Sequence, residues 1–303
     1  MPLHLPPLSR REFVRRVLIG GTSLALAPRV LAAAFAKADP HAWALLSDTH
    51  IPGVRAQVAR DVKPADRLAA VVAEVLAWDT KPTGVLVNGD LALGTGEAAD
   101  YATFSALVAP LRAAGLPLHL ALGNHDNRER CWAGLAQEKS VQAPLADRQV
   151  SVVRSERANW FVLDSLDKTN STPGVLGAAQ MEWLARALDA HADRPALVMV
   201  HHNPNAGTSK GGLSETESFL ELLRARRHVK AWFFGHSHRW SVTEDKSGLH
   251  LINLPATSYP FDQEQPTGWV MARLERDGLR LELNANDRKH PAHGEVKFLR
   301  WRS

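Results

Sequence analysis

The sequence predicts an α/β (α+β) protein in which helices cover two β-sheets. Two observations support this fold class. Apolar runs of strand length alternate with segments of helical periodicity as far as residue 235, and only strand-like segments follow. The composition, with 45% hydrophobic and 22% charged residues among 303, is that of an ordinary globular protein. We find no internal repeat, low-complexity linker or second domain boundary, so one large domain is expected.

The predicted elements follow from the spacing of apolar residues. Residues 62–78 place Leu68, Val71 and Val75 on one helical face, and Pro82 then ends the helical pattern before the next strand. The other predicted helices are 101–114, 180–190 and 215–226. The predicted strands up to residue 235 are 43–46, 85–87, 118–122, 150–154, 160–163, 196–200 and 231–234, with 150–154 and 160–163 antiparallel. Strands at 241–242, 249–254, 269–274 and 279–283 follow, and a polar, basic tail at 288–303 is expected to pack loosely on the surface.

The first 38 residues differ from the rest of the chain. Residues 9–16, Ser-Arg-Arg-Glu-Phe-Val-Arg-Arg, precede a weakly apolar run at 17–27 and a stretch of small residues at 32–38. The paired Arg10 and Arg11 resemble the twin-arginine export motif. A surface helix or a membrane anchor is the alternative, but the apolar run is shorter than the roughly 20 residues that span a bilayer. We expect a twin-arginine signal peptide at 1–38, read by the export machinery, and a periplasmic or otherwise exported domain at 39–303.

The charge of the chain is concentrated in this leader. Of the 36 basic and 32 acidic residues, six and one lie in residues 1–38, which leaves 30 basic and 31 acidic residues for the rest. A nearly neutral domain gives no electrostatic reason to expect nucleic acid or an anionic membrane as a partner. The only cysteine, Cys131, excludes an internal disulfide and a thiolate zinc cage. A metal site would therefore use imidazole, carboxylate and amide groups, which suit iron, manganese or zinc.

Five short clusters of metal-binding residue types lie along the chain, and four of them directly follow a predicted strand. They are Asp48 and His50; Asp90; Asn124, His125 and Asp126; His201 and His202; and His236 and His238. Side chains at the ends of neighbouring parallel strands project from one edge of a sheet, so these residues can meet in one site. Taken singly, each cluster has a simpler interpretation, such as a turn for Asp90 or a helix-capping aspartate beside a loop histidine for the first pair. The ordered series is what indicates a site.

The blocks Asp-x-His, Gly-Asp, Gly-Asn-His-Asp, His-His-x-Pro and Gly-His-x-His, spread over residues 45–238, resemble the calcineurin-like metallophosphoesterase family. The resemblance implies a four-layer α-β-β-α sandwich of two mixed sheets flanked by helices, with two divalent metal ions (Mn, Fe or Zn) at the carboxyl ends of strands. By the same resemblance, one ion is held by Asp48, His50 and His238, the other by Asn124, His201 and His236, and Asp90 bridges the two. His202 is the alternative to His201, which is favoured by its place at the strand end.

The family pattern also implies a hydrolytic mechanism. A carboxylate that bridges two cations holds them about 3.5–4 Å apart, so that a hydroxide shared by both can attack phosphorus. The leaving alkoxide needs a proton, and His125, next to a ligand but not itself one, is the expected general acid. Asp126 is expected to accept a hydrogen bond from the other nitrogen of the His125 ring and fix its tautomer.

Two departures from related patterns bear on the substrate. Purple acid phosphatases carry a tyrosine three positions after the bridging aspartate, where this chain has Leu93. The histidine pair is more similar to that of bacterial cyclic-nucleotide and glycerophosphodiester phosphodiesterases, although Asn203 stands where those often have proline. We expect an exported hydrolase of small phosphodiesters or phosphomonoesters, with the organic group contacted by loops at 51–61, 203–212 and 259–268. The alternative is a non-catalytic metal-binding or scaffold protein with the same fold.

Overall fold

Two six-stranded sheets pack face to face at the centre of the protein, and helices cover their outer faces. The structure is a computed structural model that describes residues 38–139, 144–205 and 210–303, and these residues belong to one compact unit. The predicted signal peptide at 1–38 therefore lies outside the described residues, except for Ala38.

In chain order the elements are β1 (Asp39–Ser47), α1 (Pro64–Ala77), β2 (Pro82–Asn88), α2 (Ala98–Ala113), β3 (Leu118–Ala121), α3 (Arg128–Gly134), β4 (Ser151–Val153), β5 (Asn159–Val162), α4 (Ala178–Ala190), β6 (Ala196–Met199), α5 (Thr216–Arg224), β7 (Val229–Phe234), β8 (Ser241–Glu244), β9 (His250–Asn253), β10 (Gly268–Leu274), β11 (Gly278–Ala285) and β12 (Val296–Arg300).

Both sheets are mixed. The first sheet has the order β12-β11-β10-β1-β2-β3, with β1, β2 and β3 parallel and the other three strands joined antiparallel. The second has the order β4-β5-β6-β7-β9-β8, with β5, β6, β7 and β9 parallel and an antiparallel strand at each edge. The predicted antiparallel pairing of the strands at 150–154 and 160–163 is confirmed by β4 and β5. Within each sheet, the carboxyl ends of the central parallel strands therefore lie at the same edge.

Three apolar cores separate the four layers. In β1, Leu45 faces the second sheet, whereas Ala44 and Leu46 face the core beneath α1 and α2. The third core lies between the second sheet and the helices α4 and α5. Because the central strands are buried on both faces, they read in the sequence as unbroken apolar runs. The four-layer architecture predicted for this chain is confirmed.

The helices begin with recognisable signals. Pro64 opens α1, where its fixed φ suits the first turn and its missing N–H is not needed. Glu97 and Asp100 form a reciprocal capping box at the start of α2. The short helix α3 was not predicted, because only Cys131 of its residues is buried and seven residues are too few to show a periodic face. None of the helices that the structure describes is both long enough and apolar enough to cross a membrane.

The prediction that the tail at 288–303 packs loosely is wrong. Residues of β12 pair antiparallel with β11, and Leu299 points into the core between the sheets while Val296 and Phe298 face outward. Arg302 is buried: its Nε donates to the Val229 carbonyl (2.8 Å) and its Nη2 to the carbonyls of Leu223 and Arg226 (both 2.9 Å). The guanidinium thus binds carbonyl groups at the carboxyl end of α5, where a cation is favoured.

Replacing Arg302 with alanine is expected to destabilise the protein by about 2–4 kcal/mol, because it leaves several buried carbonyl groups without a donor. The measurement is urea unfolding followed by tryptophan fluorescence. The matched control is Arg300→Ala, whose side chain is 80% exposed and which should change stability by less than about 0.5 kcal/mol. Equal unfolding midpoints for the two variants would show that the hydrogen bonds of Arg302 do not stabilise the fold.

Candidate metal centre

The five clusters singled out in the sequence come together where strands of both sheets end. Asp48 directly follows β1, Asp90 lies just beyond β2, and Asn124 lies just beyond β3, all in the first sheet. His201 lies just beyond β6 and His236 just beyond β7, in the second sheet. The site is therefore built where the carboxyl ends of the two sheets meet.

Asp48, His50 and His238 form the first group of converging ligand atoms. The Nε2 atoms of His50 and His238 lie 3.0 Å apart, and His238 Nε2 lies 3.3 Å from Asp48 Oδ1. All three side chains are at most 1% exposed. Two imidazole nitrogens and a carboxylate that converge in a buried site are a donor set that fits a divalent cation.

Asp90, His201 and His236 form a second group. His201 Nε2 lies 3.3 Å from Asp90 Oδ2, and its Nδ1 lies 2.8 Å from the Asn88 carbonyl, which fixes the orientation of the ring. Among the described residues, neither His201 Nε2 nor the buried Oδ1 of Asn124 has a hydrogen-bond partner. Buried polar atoms without partners are rare, and here they are atoms of the kind that bind a cation. The residues present therefore fit a second ion.

Asp90 connects the two groups. Its Oδ2 atom lies 3.6 Å from His50 Nε2 in the first group and 3.3 Å from His201 Nε2 in the second. Its Oδ1 atom accepts a hydrogen bond of 2.9 Å from the backbone N–H of His125. One carboxylate thus stands between two clusters of nitrogen ligands, which is the arrangement needed for a shared bridging ligand.

The backbone is left-handed at five of these positions. The φ angles are +51° at Asp48, +48° at His50, +47° at Asp90, +65° at His236 and +53° at His238. Such angles are uncommon and costly for residues other than glycine, and they concentrate at functional sites where the surrounding structure enforces them. Glycines make room for the packing: a Cβ at Gly123 would overlap the Asp90 carboxylate, and one at Gly235 would overlap Ser47 and Asp48.

The geometry distinguishes between the two adjacent histidines. His201 lies against Asp90, as described above, and belongs to the second group of ligand atoms. His202 instead packs its ring against His236, with 4.8 Å between centroids, and its Nδ1 lies 2.7 Å from Ser165 Oγ. His201 therefore stays our predicted ligand.

The expected contact between His125 and Asp126 is absent, and this prediction is wrong. The Nδ1 atom of His125 lies 2.8 Å from the Gly94 carbonyl instead. The Asp126 carboxylate is fully buried and accepts backbone N–H bonds from Gly123 (2.9 Å), Leu91 (3.1 Å) and Ala92 (3.2 Å). Asp126 thus ties together the loops that follow β2 and β3. No sequence signal could have identified Gly94, because every residue carries a backbone carbonyl.

Burial and mutual charge set the protonation states of the site. Burial lowers the pKa of His50 to about 3 and that of His236 to about 4, so both rings are neutral. Burial alone would raise the pKa of Asp48 and Asp90, but His238 beside Asp48 and His201 beside Asp90 hold both pKa values below the ordinary range. Neutral imidazoles and ionised carboxylates are the forms that bind cations.

His201 and Asp126 differ from this pattern. Burial opposes a charge on His201, but the nearby Asp90 carboxylate outweighs it and raises the pKa of His201 to about 10. A proton and a cation therefore compete for its Nε2 atom. Burial and the charge of Asp90 raise the pKa of Asp126 to about 7, against the effect of its backbone hydrogen bonds.

Aromatic side chains close one side of the first group. The Tyr259 ring stacks on His50, with 5.0 Å between centroids and 20° between planes, and the Tyr259 carbonyl lies 2.6 Å from His238 Nδ1. Phe261 stacks on the His238 ring at 3.9 Å and 11°. Both belong to the loop at 259–268, but their packing on the ligands depends on long-range folding and had no local signal in the sequence.

Comparisons with known proteins agree with this geometry. Residues 43–240 match the calcineurin-like phosphoesterase family. The cAMP/cGMP dual specificity phosphodiesterase MT0825 of Mycobacterium tuberculosis is 30% identical over 78% of this chain and 73% of its own length. The 3',5'-cyclic adenosine monophosphate phosphodiesterase CpdA of Pseudomonas aeruginosa is 29% identical over 78% of this chain and 86% of its own.

Solved structures share the fold. A dimetal phosphatase from Danio rerio superposes with a TM-score of 0.67 at 16% identity, covering 87% of this chain and 100% of that one. A purple acid phosphatase from yellow lupin gives a TM-score of 0.61 at 15% identity, covering 85% of this chain and 52% of that one. At these identities the likeness concerns the architecture alone.

Proposed function

Because this chain belongs to the calcineurin-like phosphoesterase family, we propose that it is an exported hydrolase that prefers small phosphodiesters, with 3',5'-cyclic nucleotides among its substrates. The chain is a metal-dependent phosphoric ester hydrolase that uses two divalent metal ions. The observation that carries the proposal is the Asp90 carboxylate, placed between two groups of buried nitrogen ligands. The preference for diesters is supported by the cyclic nucleotide phosphodiesterases among its relatives.

We assign one ion to Asp48, His50 and His238 and the other to Asn124, His201 and His236, with Asp90 shared. When bound, the two cations stabilise the negative charge that develops on the phosphate oxygens and bring the pKa of water close to neutral. The ends of β1 and β2 keep the ligands in place: Ser47 Oγ donates to the Asp48 carboxylate, and the Asn88 carbonyl holds the His201 ring. Such outer contacts orient metal ligands and raise their basicity.

We assign the transfer of a proton to the leaving oxygen to His125. Its Nδ1–H donates to the Gly94 carbonyl, which leaves Nε2 to hold and release the transferred proton. A ring nitrogen of His125 lies within 4.8 Å of ligand atoms of His50 and Asp90. The ring is therefore close to the position where an ester oxygen would leave.

The function is tested with protein expressed without residues 1–38 and loaded with manganese, iron or zinc. We expect hydrolysis of bis(p-nitrophenyl) phosphate and of 3',5'-cyclic AMP to exceed that of p-nitrophenyl phosphate in kcat/KM. Faster cleavage of the monoester would show that the protein is a phosphatase and does not prefer diesters. No cleavage of any of the three with any metal would overturn the proposal.

Export is proposed on the composition of residues 1–38 alone, in which a basic segment precedes a weakly apolar run. Replacing Arg10 and Arg11 together with lysine should retain the protein in the cytoplasm, since the twin-arginine machinery reads the arginine pair. The control replaces Arg15 and Arg16 in the same way. Unchanged recovery of the Arg10→Lys/Arg11→Lys variant from the periplasm would contradict this part of the proposal.

A further inference from the structure

The structure exposes an aromatic ring directly beside the metal centre. Phe261 is 53% exposed, although one face of its ring stacks on His238, a predicted metal ligand. In the part of the chain that the structure describes, five large apolar side chains are about half exposed or more: Val54, Val58, Phe261, Val296 and Phe298. Three of these five belong to the loops at 51–61 and 259–268, which the sequence indicated for the organic group of the substrate. Residues 206–209 of the third such loop lie outside the described residues.

A cation lies over the same ring. The guanidinium carbon of Arg60 is 4.9 Å from the centroid of Phe261 and 5.6 Å from that of Tyr259. None of the ion pairs among the described residues, defined by a nitrogen-to-oxygen distance of at most 4.0 Å, includes Arg60. Arg60 is therefore an available cation at the edge of a site that acts on anions.

The backbone holds Arg60 in this position. Arg60 and Asp61 both have left-handed φ angles, +48° and +65°. The turn is closed by two backbone hydrogen bonds between Ala59 and Val62, of 2.8 and 3.1 Å. Strained backbone at exposed residues persists when neighbouring contacts enforce it, and it is often found where a loop binds a ligand. The loop thus presents Arg60 toward Phe261 in a defined conformation.

We propose that Phe261 and Arg60 bind the organic group of the ester and that this group is a planar, nucleobase-like ring. The inference rests on the phosphodiesterase function proposed above. His238 and Arg60 both lie against the Phe261 ring, so the plane offered for stacking on a nucleobase is the guanidinium of Arg60, which Phe261 supports and beside which its exposed edge can contact the base. The guanidinium also attracts the phosphate. Because Phe261 packs on His238 itself, a ring bound there lies close enough to the metal centre for a ribose to join it to the phosphate. An aliphatic diester gains no such stacking.

Binding is tested by titration calorimetry of the manganese-loaded protein with AMP and with ribose 5-phosphate, which differ only in the base. We expect AMP to bind about tenfold more tightly to the wild type, and this difference to be lost in Phe261→Ala and reduced in Arg60→Gln. The matched control is Phe298→Ala: Phe298 is 47% exposed and has Arg300 over its ring at 5.9 Å, but it lies on β12. Manganese content is measured for each variant.

Kinetics provide the second measurement. Phe261→Ala should raise the KM for 3',5'-cyclic AMP about tenfold more than the KM for an aliphatic glycerophosphodiester, with the larger change in KM and not in kcat. Equal affinity of the wild type for AMP and ribose 5-phosphate would overturn the inference, as would equal effects of Phe261→Ala and Phe298→Ala. Failure of the proposed function is a separate result, because it shows as absence of ester cleavage and leaves the calorimetric comparison intact.

Discussion

Replacing Asp90 with asparagine is expected to lower kcat/KM at least about 10³-fold and to remove metal from both positions. Asp90 is the only carboxylate of the described residues that lies within 4.0 Å of His50 and of His201 at once. An amide keeps the shape of the side chain but brings no negative charge to hold two cations near each other. The loss should therefore exceed that of any single histidine ligand.

Metal analysis of the purified variant and thermal unfolding with and without manganese distinguish this role from a structural one. The wild type should unfold at a higher temperature when manganese is present, because the ion binds only the folded protein, and Asp90→Asn should not show this shift. The control is Asp277→Asn, a 65% exposed aspartate at the surface. Two tightly bound ions in Asp90→Asn would refute the assignment of the bridge.

Replacing His125 with alanine is expected to lower kcat for 3',5'-cyclic AMP by about 10²–10⁴-fold, but kcat for bis(p-nitrophenyl) phosphate by no more than about tenfold. The physical reason is the leaving group. A ribose alkoxide must be protonated as it departs, whereas p-nitrophenolate is a stable anion that leaves without a proton. The difference between the two substrates is therefore the signature of a general acid.

The His125→Ala variant removes the imidazole ring and leaves the backbone of this residue unchanged. The hydrogen bond to Asp90 comes from the backbone N–H of His125 and is kept in His125→Ala. Metal content should therefore be unchanged, and it is measured alongside kcat. A partly exposed histidine that is not a predicted ligand, His290, provides the control variant. Equal losses for both substrates would show that His125 binds the phosphate or supports the site and does not donate a proton.

The fold could be predicted because its physical signals are local. Central strands such as β1 and β2 are buried on both faces and leave unbroken apolar runs, and α1 shows a clear apolar face. The tail was misjudged because the edge strand β12 lacks the usual pattern of apolar residues inside and polar residues outside. Its apolar Val296 and Phe298 face outward, and Leu299 is its one deeply buried residue. The burial of Arg302 depends on carbonyl groups distant in the sequence.

Some features of the candidate site could likewise be predicted from the sequence, and others could not. The identity of the converging residues could be predicted, because a metal site needs particular side chains and parallel strands bring their ends together. The partner of His125 could not, because it is the backbone carbonyl of Gly94. Phe261 and Arg60 also carry no local signal, since their importance arises from packing against His238 and Tyr259.

The position of the centre between the two sheets has a mechanical consequence. Asp48, His50, Asp90 and Asn124 follow strands of the first sheet, whereas His201, His236 and His238 follow β7 or β6 of the second. In our assignment, each ion therefore takes ligands from both sheets and acts as a cross-link between them at this end of the sandwich. Removal of the ions by a chelator should consequently destabilise the carboxyl ends of the central strands in both sheets. We expect faster amide hydrogen exchange just after Ser47, Asn88 and Phe234, while the amino ends of the same strands stay protected.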